Sequence, residues 1–216
     1  MIALAFGIVV LSGCSALIPT AGASPSASAT RTRSPSPAPA AAPADLTFDA
    51  GESLDGGDWQ IGWVDVFQSD PGFTVTAPDE GKGSYSYADA ETQCQLFYQG
   101  AVGDIDMSRD DRTISDDFLA TVLTGTVAGA TREDVTAHAF DDQVLQHPGP
   151  GTADTRTIWG QSSDGRTWLH SARMFGARGG GVYIGITCPS GQDASAELQK
   201  VMQDDVRLAV APAGGG

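Results

Sequence analysis

Thr155-Arg-Thr-Ile-Trp-Gly-Gln161 and Thr167-Trp-Leu-His-Ser-Ala-Arg-Met-Phe175 flank Ser163-Asp164-Gly165, and this stretch decides the fold class. The outer runs carry β-branched and aromatic residues, and Asp-Gly between such runs is a strong hairpin signal. Downstream, Val182–Cys188 reads as a further strand after the Gly179-Gly180-Gly181 turn. Asp193 then caps a last helix with Leu198, Val201 and Met202 on one face. Upstream, Val135–Phe140 reads as strand, and before it the period changes. Ser115 reads as an N-cap, Asp116 and Asp117 suit the positive end of a helix dipole, and Phe118, Leu119, Val122 and Leu123 form a stripe that Gly125 closes. Further upstream, Gln93–Gln99 alternates, with Cys94, Leu96 and Tyr98 opposite Gln93, Gln95, Phe97 and Gln99. Gly83–Ala88 sets Tyr85 and Tyr87 on one face, Phe73–Ala77 alternates, Trp59–Phe67 has β character, and Leu46–Asp49 reads as a short strand. The expectation is an α+β domain: a mostly antiparallel sheet with one mid-chain helix and one C-terminal helix packed on it.

The 216 residues carry 27 acids against 12 bases, a formal charge of -15. All the acids lie from Asp45 onward, where 27 acids face 10 bases. Nucleic acid needs a basic face, so this balance excludes it as a partner. The acids are almost all Asp, the bases almost all Arg, and Asn is absent. This is the drift of a high-GC genome rather than a functional signal.

The first residues read as an address. Ile2 to Leu11 is an unbroken apolar run, Gly7 included. As a helix it rises only about 15 Å against roughly 30 Å of hydrocarbon, too short to span. A short apolar core followed by small residues is what a signal peptide looks like. Leu11-Ser12-Gly13-Cys14 resembles the bacterial lipobox. The resemblance implies cleavage between Gly13 and Cys14 and a diacylglyceryl group on the Cys14 thiol. Two acyl chains, at about 0.8 kcal/mol per buried methylene, hold a membrane stably where one is marginal. No Lys or Arg precedes the run, so the positive segment expected of a signal peptide is missing, and the start is read as lying a few residues late. Residues 1–13 are thus expected to be a signal peptide. In residues 15–44, Ala, Ser, Pro and Thr make up all but five positions, a composition that cannot bury enough to offset ordering entropy. Residues 14–44 are therefore expected to form a lipidated, disordered tether, open to glycosylation at its Ser and Thr. Residues 45–212 form the globular domain, and 213–216 a frayed tail. The expected place is the outer face of the cell membrane.

Besides Cys14 only Cys94 and Cys188 remain. In an exported domain two cysteines in apolar strands are expected to join. Two buried thiols or a redox pair stand as alternatives. No C-x-x-C spacing favours the redox case, and three His are too few for zinc. Asp104, Asp106 and Asp110 put oxygens on alternate residues as a calcium loop does, but Gly and Glu are missing from the positions an EF-hand needs. A solvated acidic loop is the plainer reading. Ser162 and Ser163 lack the elbow geometry of a hydrolase, since Asp164 stands where Gly is required. His138, His147 and His170 show no catalytic spacing. Arg178-Gly-Gly-Gly181 opens a strand, not the helix a phosphate cradle uses. The acid pairs Asp110-Asp111, Asp116-Asp117, Asp141-Asp142 and Asp204-Asp205 read as caps and solvated faces. Trp59, Trp63, Tyr85 and Tyr87 are the candidate lining of a sugar or lipid groove, with core packing the default for Trp on strands.

The order of elements resembles the PsbP-like fold of actinobacterial cell-envelope lipoproteins of the LpqN type. Antiparallel strands lead to the helix around Phe118–Leu123, three more strands, then the amphipathic helix through Leu198–Met202. The likeness covers about residues 59–207 and rests on arrangement, not on a signature motif. It implies a non-catalytic binding or accessory protein of the envelope, without a cofactor, whose partner is an envelope protein, the wall or a small molecule. A secreted hydrolase with an unrecognised Asp/His site and a calcium-responsive adhesion module are the alternative readings.

Overall fold

The computed structural model describes residues 45–51, 54, 59–64, 66–102, 108–204 and 206–212. The chain divides into two units, Met1–Pro37 and Ala38–Gly216, and every described residue belongs to the second. Gly13, Cys14, the tether, the tail, Asp104 and Asp106 lie outside the described residues.

Nine strands make one sheet: β1 (Trp59–Val64), β2 (Phe73–Ala77), β3 (Ser84–Asp89), β4 (Gln95–Val102), β5 (Phe140–His147), β6 (Thr152–Gln161), β7 (Thr167–Phe175), β8 (Gly180–Cys188) and β9 (Arg207–Pro212). The helices are a single turn α1 (Phe48–Gly51), then α2 (Asp111–Thr126), α3 (Arg132–His138) and α4 (Ala194–Asp204). The strand order is β1-β9-β5-β6-β7-β8-β4-β3-β2. Neighbours run antiparallel except β5 and β9, which are parallel.

The central hairpin forms where the Asp-Gly signal lies. Gly165 takes φ +84°, its N–H donates to the Ser162 carbonyl, and the Ser162 N–H donates to the Arg166 carbonyl. β7 is buried along most of its length because both faces are covered. Its even residues Ala172 and Met174 join Ile158 of β6 under α2 and α3, where Ile114, Leu119, Leu123 and Val135 meet them. Its odd residue Leu169 joins Leu96, Tyr98, Ile184 and Ile186 on the other face, against Leu198 and Val201 of α4. A third cluster lies where β1, β5 and β9 come together, around Trp59, Val144, Leu208, Val210 and Phe175.

The sheet curls until β1 crosses β4. Gly62 and Gly100 meet there; a Cβ on Gly100 would lie 3.6 Å from the Gly62 Cα. The Trp63 indole N–H donates to the Tyr183 carbonyl at 2.9 Å, which fastens β1 across β8. Cys94 and Cys188 are joined by a disulfide beside β4 and β8.

The architecture departs from the expected one. The sheet is mixed and curled, with a parallel β5–β9 pair, a second mid-chain helix in α3 and a strand after α4, in place of the expected mostly antiparallel sheet with one mid-chain helix and one terminal helix. The parallel β5–β9 pair arises because Leu208 and Val210 form a short strand after α4 and return to the sheet. The segment read as strand over Val135–Phe140 is instead helix α3, with β5 starting at Phe140. Its start is a capping box: Thr131 accepts from the Asp134 N–H while the Asp134 carboxylate accepts from the Thr131 N–H. The cap of α2 is Asp110, not Ser115, which lies buried inside the helix and accepts from the Met174 N–H. Leu46–Asp49 is no strand: Leu46 makes an isolated bridge to Ala153, and Phe48 begins α1.

Candidate functional site

The aromatic residues of the first half of the domain converge on the curled face. Tyr85 lies directly opposite Tyr98, and Tyr87 opposite Leu96, in the β3–β4 register. Alternation therefore sends Tyr85, Tyr87 and Tyr98 to one side. The 3-10 turn Phe67–Ser69 brings Phe67 to the same place, 5.4 Å from the Tyr87 ring and 5.5 Å from the Tyr98 ring. Trp63 meets Tyr98 edge-on at 6.2 Å. These five rings, with the close-set backbones of Gly62 and Gly100, enclose a cavity of about 200 Å³. Among the described residues no charged side chain lines it. Its chemistry is that of an apolar chamber with phenol hydroxyls for orientation.

Of the four aromatics expected to line a groove, Trp63, Tyr85 and Tyr87 come together here. Trp59 does not: it is buried in the cluster with Val144 and Leu208. Phe67 and Tyr98 complete the chamber and were not singled out from sequence. Tyr98 was legible, since it shares the Cys94, Leu96 face. Phe67 was not, because the 3-10 turn that aims it has no period to read.

The remaining candidates are taken up by the fold. Asp110 caps α2, accepting from the Thr113 N–H at 2.9 Å and the Thr113 hydroxyl at 2.6 Å; those bonds hold its carboxyl below the usual range. Among the described residues no group of three or more His, Cys, Asp or Glu is placed to hold a metal ion. Asp111 is buried and meets Arg173 at 2.9 Å, while its other oxygen accepts from the Gly176 N–H. Burial pushes the Arg173 guanidinium below its ordinary value, and Asp111 opposes that shift. Asp116 and Asp141 both engage Arg156, at 2.7 and 2.8 Å. Asp117 pairs with Arg109 and Arg132. The acid pairs of α2 are thus divided among separate arginines: Asp111 meets Arg173, Asp116 meets Arg156, and Asp117 meets Arg109 and Arg132.

Arg178 donates to the Trp59 carbonyl at 2.9 Å and so ties β1 down. Ser162 and Ser163 sit in the β6–β7 turn, which leads to a strand. His138 ends α3 and His147 ends β5, both exposed. His170 is buried, its Nδ1 2.6 Å from the Tyr183 hydroxyl, on the face away from the aromatic chamber. Among the described residues no helix is long and apolar enough to cross a membrane.

No family model matches the chain, and no curated protein matches it. Among solved structures it is similar to the crystal structure of LpqN involved in cell envelope biogenesis of Mycobacterium tuberculosis. The alignment covers 76% of this chain and 98% of that one, at 9% identity and a TM-score of 0.35. A likeness of that degree transfers neither site nor activity.

Proposed function

We propose that the protein is a lipid-anchored, extracytoplasmic binding module of the cell envelope, and that the chamber of Trp63, Phe67, Tyr85, Tyr87 and Tyr98 takes a small, uncharged, apolar ligand. The observation that carries the ligand class is the lining: five aromatic rings, glycine backbone and, among the described residues, no charged side chain. A charged ligand would lose its hydration there with no counter-charge to replace it. The anchor rests on Leu11-Ser12-Gly13-Cys14 and on the Ala/Ser/Pro-rich stretch after it. A domain with 27 acids against 10 bases is repelled by an anionic lipid surface, and a long tether sets it off that surface.

Two measurements test this. The melting temperature is followed against 1-decanol, indole and decanoate. A ligand at 100 times its dissociation constant stabilises by about 2.7 kcal/mol, roughly 5–11 °C for a domain of this size. The expected result is a rise with decanol or indole, a smaller one with decanoate, and neither in Tyr85→Ser. No rise with any of the three, or a rise that Tyr85→Ser keeps, removes the ligand reading. For the anchor, Cys14→Ser in the producing cell is expected to leave an unlipidated precursor that no longer follows the membrane fraction. Unchanged partitioning removes it.

A further inference from the structure

A second cavity opens on the other face of the sheet, where α2 ends over β4, β7 and β8. It measures about 370 Å³, and Phe97, Ser162, Arg166, Trp168, His170 and Tyr183 are among its walls. That size falls within the roughly 300–1,000 Å³ of small-molecule sites.

Unlike the aromatic chamber, this cavity is walled by hydrogen-bond donors that lack acceptors. His170 is 6% exposed, and burial pushes its pKa down to about 4, so its imidazole is neutral at pH 7. Burial likewise pushes the Tyr183 phenol up, so it keeps its hydrogen. The only partner of that hydroxyl among the described residues is His170 Nδ1, at 2.6 Å. A buried phenol hydrogen needs an acceptor, so the Tyr183 O–H donates to Nδ1. This fixes the tautomer: Nε2 carries the hydrogen of the imidazole, and no described residue accepts it. Trp168 is packed on His170 with ring centroids 5.4 Å apart and supplies an aromatic wall. On the rim, Arg166 spends its Nε on Asp164 at 2.8 Å, and its terminal nitrogens bond no described residue. The backbone is cut to hold this group. A Cβ at Gly160 would overlap the Trp168 ring, and one at Gly185 would overlap the Tyr183 hydroxyl.

The geometry points to a binding site for a small aromatic carboxylate, its ring against Phe97 and Trp168 and its carboxylate accepting from the His170 Nε2–H with the Arg166 charge beside it. The domain as a whole repels anions, so selection for the carboxylate comes from these local donors.

The test is calorimetric titration of the full chain at pH 7 with 1-naphthoate and with 1-naphthamide, which has the same shape without the charge. Naphthoate is expected to bind one per chain, and the amide at least about tenfold more weakly, the loss set by hydrogen bonds to a charged group. Arg166→Gln, on an exposed rim position, is expected to weaken naphthoate about tenfold and leave the amide unchanged. His170→Phe, which keeps a ring but removes the N–H, is expected to weaken naphthoate as well. Tyr85→Ser, in the aromatic chamber, is expected to leave naphthoate affinity as it is, so loss of that chamber's function would not count against this site. Equal affinity for acid and amide overturns the proposal. So does naphthoate binding that survives both Arg166→Gln and His170→Phe, or no binding of either compound.

Discussion

An imidazole packed between Trp168 and Tyr183 makes the fold sensitive to acid. His170 titrates at about 4 in the folded chain and at an ordinary 6.5 in the unfolded one, because burial penalises its charged form. Between those values the unfolded chain binds a proton that the folded chain refuses, so stability is lost as pH falls through that window. The full gap is worth about 3 kcal/mol. His170→Phe keeps a ring in the site and removes the titration. Urea unfolding of both proteins at pH 7, 5.5 and 4 is expected to show the wild type losing about that much more stability than the variant. The Asp residues whose pKa values are lowered lose stability mainly at still lower pH, as it falls through and below their ordinary 3.8, and they do so in both proteins and cancel in the difference. Parallel pH profiles would mean that His170 protonates freely in the fold. None of this was legible from position 170 alone. The alternation of β7 places His170 on the Trp168 face, but only the fold shows that α2 and Tyr183 cover that face.

At the scale of elements, the lesson lies in where local signals compete. Helix α3 takes up the first part of the Val135–Phe140 segment, whose two apolar ends invite a strand reading, and Phe140 itself opens β5. What decides otherwise is the Thr131–Asp134 capping box, which satisfies two backbone donors before the first turn is complete. Thr131→Ala is expected to cost about 1 kcal/mol, seen as a lower urea midpoint with an unchanged denaturant slope. An unchanged midpoint would show that packing of Val135 under α2 alone holds the helix. The cap was readable as Thr-x-x-Asp, with Asp in the place usually given to Glu or Gln. The β6–β7 hairpin and the α4 cap at Asp193, which accepts from the Ser195 N–H at 2.9 Å, were readable because each depends on neighbours in sequence. β9 and its parallel pairing with β5 were not. They depend on a partner about sixty residues away, and a four-residue apolar alternation carries no information about that partner.

At the scale of the whole molecule, the Cys94–Cys188 bond ties the start of β4 to the end of β8, a sequence separation of 94. The loop it closes holds α2, α3 and β5 to β7, so it contains both walls of the second cavity's His170–Trp168 pair and every ion pair made by α2. α4 depends on the same region. Asp89, at the turn before Cys94, accepts from Lys200 Nζ of α4 at 2.6 Å, and Thr92 donates to Glu197 at 3.0 Å. A link here should act chiefly on the unfolded chain, by shrinking the conformations open to a long loop. In the chain-entropy model a loop of about this length is worth roughly 4–5 kcal/mol. The double substitution Cys94→Ala and Cys188→Ala is therefore expected to lower unfolding free energy by up to about that amount while leaving the far-ultraviolet dichroism of the folded chain unchanged. Both side chains are buried and the pair lies against Leu96 and Ile186 of the main core, so part of any loss comes from packing. Reduction of the wild type, which keeps the sulfur atoms, separates the two. If reduction alone produces most of the loss, the bond acts through the unfolded loop. If only the alanine pair does, the sulfurs serve as core atoms and the covalent link contributes little.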